Sequence, residues 1–365
     1  MPRIGVLGAG QLGRMLALAG LPLGVRFLFV DPTPDPPAAL LGEHLPLDYG
    51  SPAAIARLST CDVVTYEFEN VPVEPVRAVA EHTRVFPPVD ALAIAQDRWF
   101  EKSCFQELGI PTPAFHNVES RDELVQALAS VGYPAVLKTR RMGYDGRGQA
   151  VLRNEADADR AYAELGNMPL LLEGFVPFER ELSLIGARGR DGSTRFYPLL
   201  ENHPKDGILR LTLAPAPDIS PDRQRAAEGY MTALFDRLSY VGVLTLELFQ
   251  AGGRLVANEI APRVHNSGHL TIEAAHTSQF EQHLRAILGL PLGSSELLGP
   301  SAMLNAIGHM PDSAAVLAVP DTHLHSYAKA PRGGRKVGHV TVRAPEWATL
   351  AERLSLLKPM VESPP

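Results

Sequence analysis

A strand that runs straight into a glycine turn and then a helix leaves a chain few folds to choose from. Here the turn is Gly8-Ala9-Gly10-Gln11-Leu12-Gly13, a complete G-x-G-x-x-G. It follows the apolar run Arg3 to Gly8 and precedes Gln11 to Leu21, whose apolar residues recur at helical spacing. Val25 to Val30 reads as a second strand ending at Asp31-Pro32, and Cys61 to Tyr66 as a third, running into Glu67-Phe68-Glu69-Asn70. This order calls for a parallel sheet with ligand groups at the carboxyl ends of its strands. Glycines in such a turn let backbone N–H groups approach a phosphate at a helix N-terminus. Asp31 stands where dinucleotide enzymes place a ribose-binding acid. Taken alone, the turn points to a nicotinamide-dependent dehydrogenase, but it serves equally for another anion or for close packing.

The remaining length needs more than one such unit. At roughly 150 residues per domain, 365 residues make two to three domains. A boundary follows Pro87-Pro88, and Asp90 to Leu108 reads as one helix stopped by Gly109-Ile110-Pro111-Thr112-Pro113. Ala135 to Thr139 and Gln149 to Arg153 read as strands, and Leu170 to Glu173 as an apolar edge. Val243 to Gln250 and Arg254 to Ile260 form a hairpin joined by Ala251-Gly252-Gly253. A helix over Ser278 to Leu288 follows, then short strands at His323 to Ala328 and Val337 to Arg343, and a last helix at Pro345 to Leu356.

Charge and composition exclude several classes. Acidic residues outnumber basic ones, 41 to 34, for a net charge of −7, against a dedicated nucleic-acid binder. No apolar run reaches the ~20 residues that span a bilayer. Cys61 and Cys104 lack metal-type spacing and give no disulfide framework. Strand-like sequence begins at Arg3 without a signal peptide ahead of it, so a cytoplasmic protein is expected. Only six basic residues are lysine, namely Lys102, Lys138, Lys205, Lys329, Lys336 and Lys358. Each marks a position where arginine was not used.

Three further constellations carry chemistry. In Lys138-Thr139-Arg140-Arg141-Met142-Gly143-Tyr144-Asp145-Gly146-Arg147-Gly148-Gln149, a strand delivers a lysine to a loop with three glycines. Such a loop can fold over phosphates while the lysine supplies a compact charge. It is not a P-loop, since the lysine precedes the glycines. A solvated hairpin is the plainer alternative. Glu247 and Glu259 lie within apolar strands, where unpaired charges are costly. Together they suit Mg²⁺, a hard cation that takes oxygen ligands and bridges nucleotide phosphates; the alternative is a solvent-facing sheet edge. Pro262-Arg263-Val264-His265-Asn266-Ser267-Gly268-His269 then reads as an anion-binding or catalytic loop, in which His269 serves structure or function.

With these motifs in this order, the chain resembles the N5-carboxyaminoimidazole ribonucleotide synthetase family of ATP-grasp enzymes, from about Ile4 to Val342. The pieces that carry the resemblance are Gly8 to Met15, Tyr66-Glu67-Phe68-Glu69-Asn70-Val71-Pro72, Lys138 with Gly143 to Gln149, Asn258 to His269, and Gly334-Arg335-Lys336-Val337-Gly338-His339. The resemblance implies mixed α/β and α+β architecture. It comprises a Rossmann-like pre-ATP-grasp domain over 1–88, an ATP-grasp domain over 89–295 with a central lid at about 112–175, and a small, mainly-β C-terminal domain over 296–365. It implies ATP-dependent carboxylation of 5-aminoimidazole ribonucleotide by bicarbonate through carboxyphosphate, in purine biosynthesis, with Mg²⁺ and as a homodimer.

Site residues follow by position. Arg98 and Lys138 resemble the nucleotide phosphate contacts, and Gly143, Tyr144, Asp145, Gly146, Arg147, Gly148 and Gln149 the phosphate-covering loop. Glu173, Gly174, Phe175 and Val176 are similar to the hinge that reads adenine, and Glu181 to the acid that holds the ribose. Glu247 and Glu259 resemble the Mg²⁺ ligands, with Asn258 beside them on the nucleotide. For the ribonucleotide, the resemblance implies Tyr144, Asp145 and Arg147, then Gln11, Leu12, Glu67, Lys329, Arg335 and Lys336. Arg263 and His265 would lie near bicarbonate and the reacting amine, so the catalytic set is Arg147, Arg263, His265 and Lys336. The glycine turn would then serve the substrate end of the cleft. His203 is carried over as a nucleotide contact, although it stands one place early, with Pro204 in the usual position.

Three other readings meet the same residues. A formate-dependent glycinamide ribonucleotide transformylase shares the grasp motifs but not Tyr144 to Arg147 or the Arg335 to His339 stretch. A Rossmann oxidoreductase leaves Lys138, the glycine loop and the two glutamates unexplained. A non-catalytic nucleotide-binding module leaves the lysine and both metal-ligand candidates without a task.

Overall fold

The structure, a computed structural model, describes residues 1–143 and 147–362. The predicted strand–turn–helix opening is present. β1 (Arg3–Leu7), β2 (Arg26–Val30), β3 (Glu43–Leu45) and β4 (Val63–Tyr66) form a parallel sheet in the order β3-β2-β1-β4. It is connected through α1 (Gln11–Gly20), α2 (Pro52–Leu58) and α3 (Val73–Ala80). The strands are continuous apolar runs because both faces are covered. Ile4, Val6, Phe29 and Val63 pack on one side with α1, and Leu7, Leu28, Val30 and Val64 on the other with α2 and α3.

The single helix expected over Asp90 to Leu108 is two, α4 (Val89–Ala95) and α5 (Arg98–Glu107). Asp97 breaks it by taking extended backbone and accepting the Trp99 N–H at 3.0 Å, an N-cap that periodicity alone does not reveal. A second, antiparallel sheet follows, built of β5 (Phe115–Val118), β6 (Ala135–Thr139), β7 (Gln149–Leu152) and β8 (Leu170–Gly174) in the order β5-β8-β6-β7. Leu170 to Glu173, expected at an edge, is interior to this sheet, which explains three successive buried leucines. Helices α6 (Arg121–Val131) and α7 (Glu155–Leu165) close a separate small core around Val118, Leu124, Leu137 and Leu172.

The largest sheet has nine strands. β9 (Arg180–Arg188), β10 (Thr194–Phe196), β11 (Leu200–Lys205) and β12 (Ile208–Ala214) lead through α8 (Pro221–Arg237) to the hairpin β13 (Gly242–Ala251) and β14 (Arg254–Ala261). After α9 (Thr271–Ala274) and α10 (Gln279–Leu288) come β15 (Ser301–Ile307), α11 (Ser313–Leu317), β16 (Thr322–Ser326), β17 (Lys336–Arg343) and α12 (Trp347–Glu362). The order is β14-β13-β9-β11-β12-β15-β17-β16, with β10 on β9. The C-terminal strands therefore extend the preceding sheet, joined to it where Leu211 to Ala214 pair with Ser301 to Leu304. The last helix runs further than the sequence suggested, to Glu362, with Pro359 inside it. Among the described residues, no helix is long and apolar enough to cross a membrane.

Candidate active site

The predicted hairpin places its two glutamates directly opposite each other. Glu247 on β13 and Glu259 on β14 are register partners, and the next pair is Leu248 with Ala257. Asn258 is the extra residue of this bulge, a device that re-aims side chains beside a site. Burial and the neighbouring Glu247 push the Glu259 carboxyl up, against Arg98 and Lys138, which favour its charged form. Glu181, on the adjacent β9, is pushed up to about 7 by burial, Glu247 and Glu259. Helix α5 adds Glu101, which accepts the Ile260 N–H at 2.6 Å and is pushed up to about 8 by burial and Glu259. Several acids held above their ordinary range in one place make a site that a cation would relieve. Among the described residues, no group of three or more His, Cys, Asp or Glu could hold a metal ion. The two opposed carboxylates, Glu247 and Glu259, supply oxygen ligands of the kind a hard cation takes.

Basic groups border this acidic face. Lys138, at the end of β6, pairs with Glu173 of β8 at 2.9 Å, and fully buried Lys102 reaches the same carboxylate at 3.6 Å. Burial alone would raise Glu173; the two lysines hold it below the usual carboxylate range. Arg98 donates from Nη1 to the Thr139 carbonyl at 2.8 Å and lies against Gly143, where an added Cβ would stand 2.7 Å from Nη1. Gly148 closes the other side of the loop with φ +69, and a Cβ there would meet Thr139 Oγ1 at 2.6 Å. Tyr144, Asp145 and Gly146 lie outside the described residues. Arg147 and Gln149 are exposed, Gln149 in register with Lys138.

The loop after β14 meets the first sheet. Arg263 is paired through Nε with Glu69 and donates from Nη1 to the Val264 carbonyl at 3.0 Å. Burial would raise Glu69, but Arg263 holds it down at about 2. His265 places Nε2 3.0 Å from Glu247 Oε1, with Nδ1 2.9 Å from Ser267 Oγ. The predicted metal carboxylate and the predicted catalytic histidine are thus in direct contact. His269, left open in the sequence, is fully buried beside Phe280, Tyr327 and His339, and burial pushes its ring well below the ordinary histidine value. It serves packing.

At the glycine turn the structure corrects the sequence. Glu67 accepts the N–H of Gly10 and, at 2.5 Å, that of Gly13, while Asp31 accepts that of Ala9 at 2.9 Å. The donors that a dinucleotide phosphate would need are met by the chain's own carboxylates. Added Cβ atoms at Gly8 and Gly10 would stand 2.5 and 2.6 Å from Glu67, so the glycines make room for that side chain. Glu67, expected to touch substrate, is buried and holds the turn. Leu12 is likewise buried in the core and offers no side chain to a ligand. Gln11 remains placed for one, since it accepts from Lys329 Nζ. Burial and Arg335 lower Lys329 to about 8. Arg335 donates to the Ala330 carbonyl at 3.3 Å, and Lys336 opens β17.

Two other carried-over positions differ from expectation. His203 is exposed and its Nε2 stands 3.1 Å from Glu201, at a register shift before Pro204. In the 173–176 segment, the Gly174 and Phe175 N–H groups are occupied by the carbonyls of Ala114 and Pro134, so those two donors hold the chain itself. Sequence reasoning gave no task to Asp97 and Glu101, and noted Lys102 only as one of six lysines. All three are charged and fully buried on one short stretch beside Arg98, a density of charge on a partly apolar helix that was the available signal.

Comparison with known proteins agrees along the whole chain. Residues 1–96 match a ribonucleotide synthetase preATP-grasp domain, 103–280 an ATP-grasp domain, and 301–353 a phosphoribosylaminoimidazole carboxylase C-terminal domain. An N5-carboxyaminoimidazole ribonucleotide synthase of Pseudomonas aeruginosa is 55% identical over 362 residues, covering 99% of this chain and 100% of that protein. The crystal structure of N5-carboxyaminoimidazole ribonucleotide synthetase from Thermus thermophilus superimposes with a TM-score of 0.95 at 53% identity, covering 99% of each chain. The synthase from Aspergillus clavatus, solved with ADP and 5-aminoimidazole ribonucleotide, gives 0.90 at 32% identity over 99% of this chain and 98% of that one.

Proposed function

The chain belongs to the N5-carboxyaminoimidazole ribonucleotide synthase family of ATP-grasp ligases, and we propose that it uses ATP and bicarbonate to carboxylate the exocyclic amine of 5-aminoimidazole ribonucleotide in purine biosynthesis. The full-length agreement with relatives of that activity, one of them solved with ADP and this ribonucleotide, carries the reading. A bicarbonate oxygen attacks the γ-phosphorus of ATP, giving carboxyphosphate and ADP. The amine then attacks the carboxyl carbon, either of carboxyphosphate or of CO₂ released from it; phosphate leaves with the C–O bond electrons on either route, and the amine gives up one proton.

The residues divide this work by charge. Lys138 and the glycine loop, which belong to the lid of residues 112–175, and Arg98, which precedes it, would meet the phosphates of the nucleotide. Glu173 to Val176 border the base, and Glu181 the ribose. Glu247 and Glu259, with Asn258 beside them, would hold Mg²⁺, which supplies charge neutralisation on the transferring phosphoryl group. Arg263, held by Glu69, fixes the bicarbonate end. Gln11, Lys329, Arg335 and Lys336 gather around the ribonucleotide, with Arg147 reaching it from the loop. Excluding water protects carboxyphosphate from hydrolysis. The same reading makes the protein a cytoplasmic homodimer.

Phosphate release by the purified chain with Mg-ATP and bicarbonate tests this. It is expected to rise on addition of 5-aminoimidazole ribonucleotide and to need bicarbonate. Dependence on formate instead would assign the transformylase reaction, and ketone-dependent NADH oxidation without ATP turnover would overturn both. Glu259→Gln is expected to abolish release; near-normal turnover would remove Glu259 from the metal site.

A further inference from the structure

Behind His265 runs a chain of buried polar side chains that the reaction does not touch. Thr212 Oγ1 stands 3.0 Å from Asn202 Oδ1, and Asn202 Nδ2 is 3.0 Å from Ser183 Oγ. Ser183 Oγ is 2.9 Å from Ser267 Oγ, which is 2.9 Å from His265 Nδ1. The other ring nitrogen, Nε2, meets Glu247 Oε1 at 3.0 Å. Thr212, Ser183 and Ser267 are fully buried, and Asn202 nearly so. Three strands and one loop supply the members: β12, β11, β9 and the 263–269 segment. Ser183 also shares a register row with Glu247.

Each end of this chain has a fixed polarity. An amide nitrogen only donates, and an ionised carboxylate only accepts. Asn202 Nδ2 therefore donates to Ser183, whose single proton goes to Ser267, whose proton goes to His265 Nδ1. The Ser267 backbone N–H also donates to Nδ1, at 3.3 Å, so both donors come from the residue that Ser183 holds. Nδ1 is thus an acceptor from two sides, and the ring's proton sits on Nε2, facing Glu247. A reversed chain would set two lone pairs against each other at His265 and Glu247.

We propose that Ser183, Asn202 and Thr212 are positioning residues that hold Ser267 and, through its hydroxyl and its N–H, keep His265 as the Nε2–H tautomer, so that it faces Glu247 and the reacting anion as a hydrogen-bond donor and not as a proton acceptor. The donated hydrogen bond also fixes which oxygen of Glu247 remains for a cation, as outer partners of ligating carboxylates do. This rests on the proposed carboxylation and on the place that the family resemblance gives His265, near bicarbonate and the reacting amine. It adds the residues, none in contact with substrate, that decide which proton the ring carries. Side chains from separate strands meet here only in the folded molecule.

The test is the tautomer itself, read by long-range ¹H–¹⁵N correlation on full-length, ¹⁵N-histidine-labelled, ligand-free protein, with His265→Gln identifying the signals. Wild type is expected to show a pyrrole-like Nε2 and a pyridine-like Nδ1. Ser183→Ala, which cuts the chain, and Asn202→Asp, which offers an acceptor where the donor stood, are each expected to populate the other tautomer. Both should lower kcat about ten- to a hundredfold with the KM for ATP little changed. Ser183→Thr, which keeps the hydroxyl, should restore the wild-type ring signals and rate. A protonated Nδ1 in wild type, or ring signals unmoved in both variants, would overturn the proposal. Shifted tautomers with kcat unchanged would uphold the chain's polarity and instead remove His265 from the reaction.

Discussion

Glu69 and Glu101 show how burial and a neighbour's sign give two glutamates opposite behaviour. Glu69 faces Arg263 and is held at about 2, below its unfolded value of roughly 4.3. It therefore contributes stability that is complete above the unfolded value and is lost as pH falls through about 2. Glu69→Gln is expected to cost roughly 2 kcal/mol near neutral pH, since it leaves a half-buried guanidinium facing a neutral amide. Urea unfolding across pH should show that penalty shrinking between about 4 and 2; a pH-independent penalty would mean that the pair is not what Glu69 contributes. Glu101 is the reverse case, pushed up to about 8 by burial and Glu259. Folding then carries a growing deficit as pH rises from its unfolded value to about 8. Glu101→Gln keeps an acceptor for the Ile260 N–H and removes the charge. The variant should therefore melt above wild type, by a margin that widens with pH up to about 8 and then levels. Melting curves from pH 5 to 9 check this, and a margin that narrows with pH would refute the assignment.

At the scale of elements, the short gap between α4 and α5 governs how the small sheet is attached. Asp97 caps α5 and also receives Arg140 through two bonds, Nε to Oδ1 at 2.9 Å and Nη2 to Oδ2 at 2.8 Å. Arg141 adds a third bond at 3.0 Å, but it is more than half exposed and counts for less. The helix end, the β6 end and the start of the glycine loop thus share one carboxylate. Asp97→Ala is expected to cost about 3 kcal/mol through the lost cap and the unpaired Arg140. It should also raise the KM for ATP, because Arg98 and the loop lose their common anchor. An unchanged KM would confine Asp97 to stability. The sequence could not show this, because Asp97 is a polar residue inside a helical period and its partners lie more than forty positions on. The elements legible beforehand were those whose own pattern decides them. β1 to α1 and the β13–β14 hairpin carry periodicity, glycine punctuation and apolar runs within a few residues. The Glu247–Glu259 opposition was legible for the same reason, since hairpin register is local. The capture of Gly10 and Gly13 by Glu67 was not. It spans more than fifty residues, and the same six-residue turn would bind a phosphate if no carboxylate filled it.

Across the whole molecule, the nine-stranded sheet joins the C-terminal strands, in roughly the last fifth of the chain, to the strands that carry the candidate site. The resemblance implied a small, mainly-β C-terminal domain here, and residues 301–353 match one. Pairing between chain segments more than ninety residues apart, Leu211 with Leu304, is what joins its strands to the preceding sheet. The seam is reinforced where Asn266 of the 263–269 loop and Asn305 of β15 exchange amide bonds at 3.0 and 2.7 Å, and Asn305 reaches the Leu209 carbonyl at 2.9 Å. A chain ending after Gly299 would leave β12 an open edge and uncover Leu211 and Leu213, a template for association. Size-exclusion chromatography should find it aggregated; a folded, monodisperse product would show that the C-terminal strands are a separable domain. The gentler change, Asn305→Ala, should keep the fold while removing buried bonds each worth about 1 kcal/mol. It would loosen the hold of β15 on the loop that carries Arg263 and His265. Phosphate release with 5-aminoimidazole ribonucleotide should then fall more than ribonucleotide-independent ATP hydrolysis. Equal loss of the two would place the seam's effect in overall stability and not in the alignment of the two halves of the cleft.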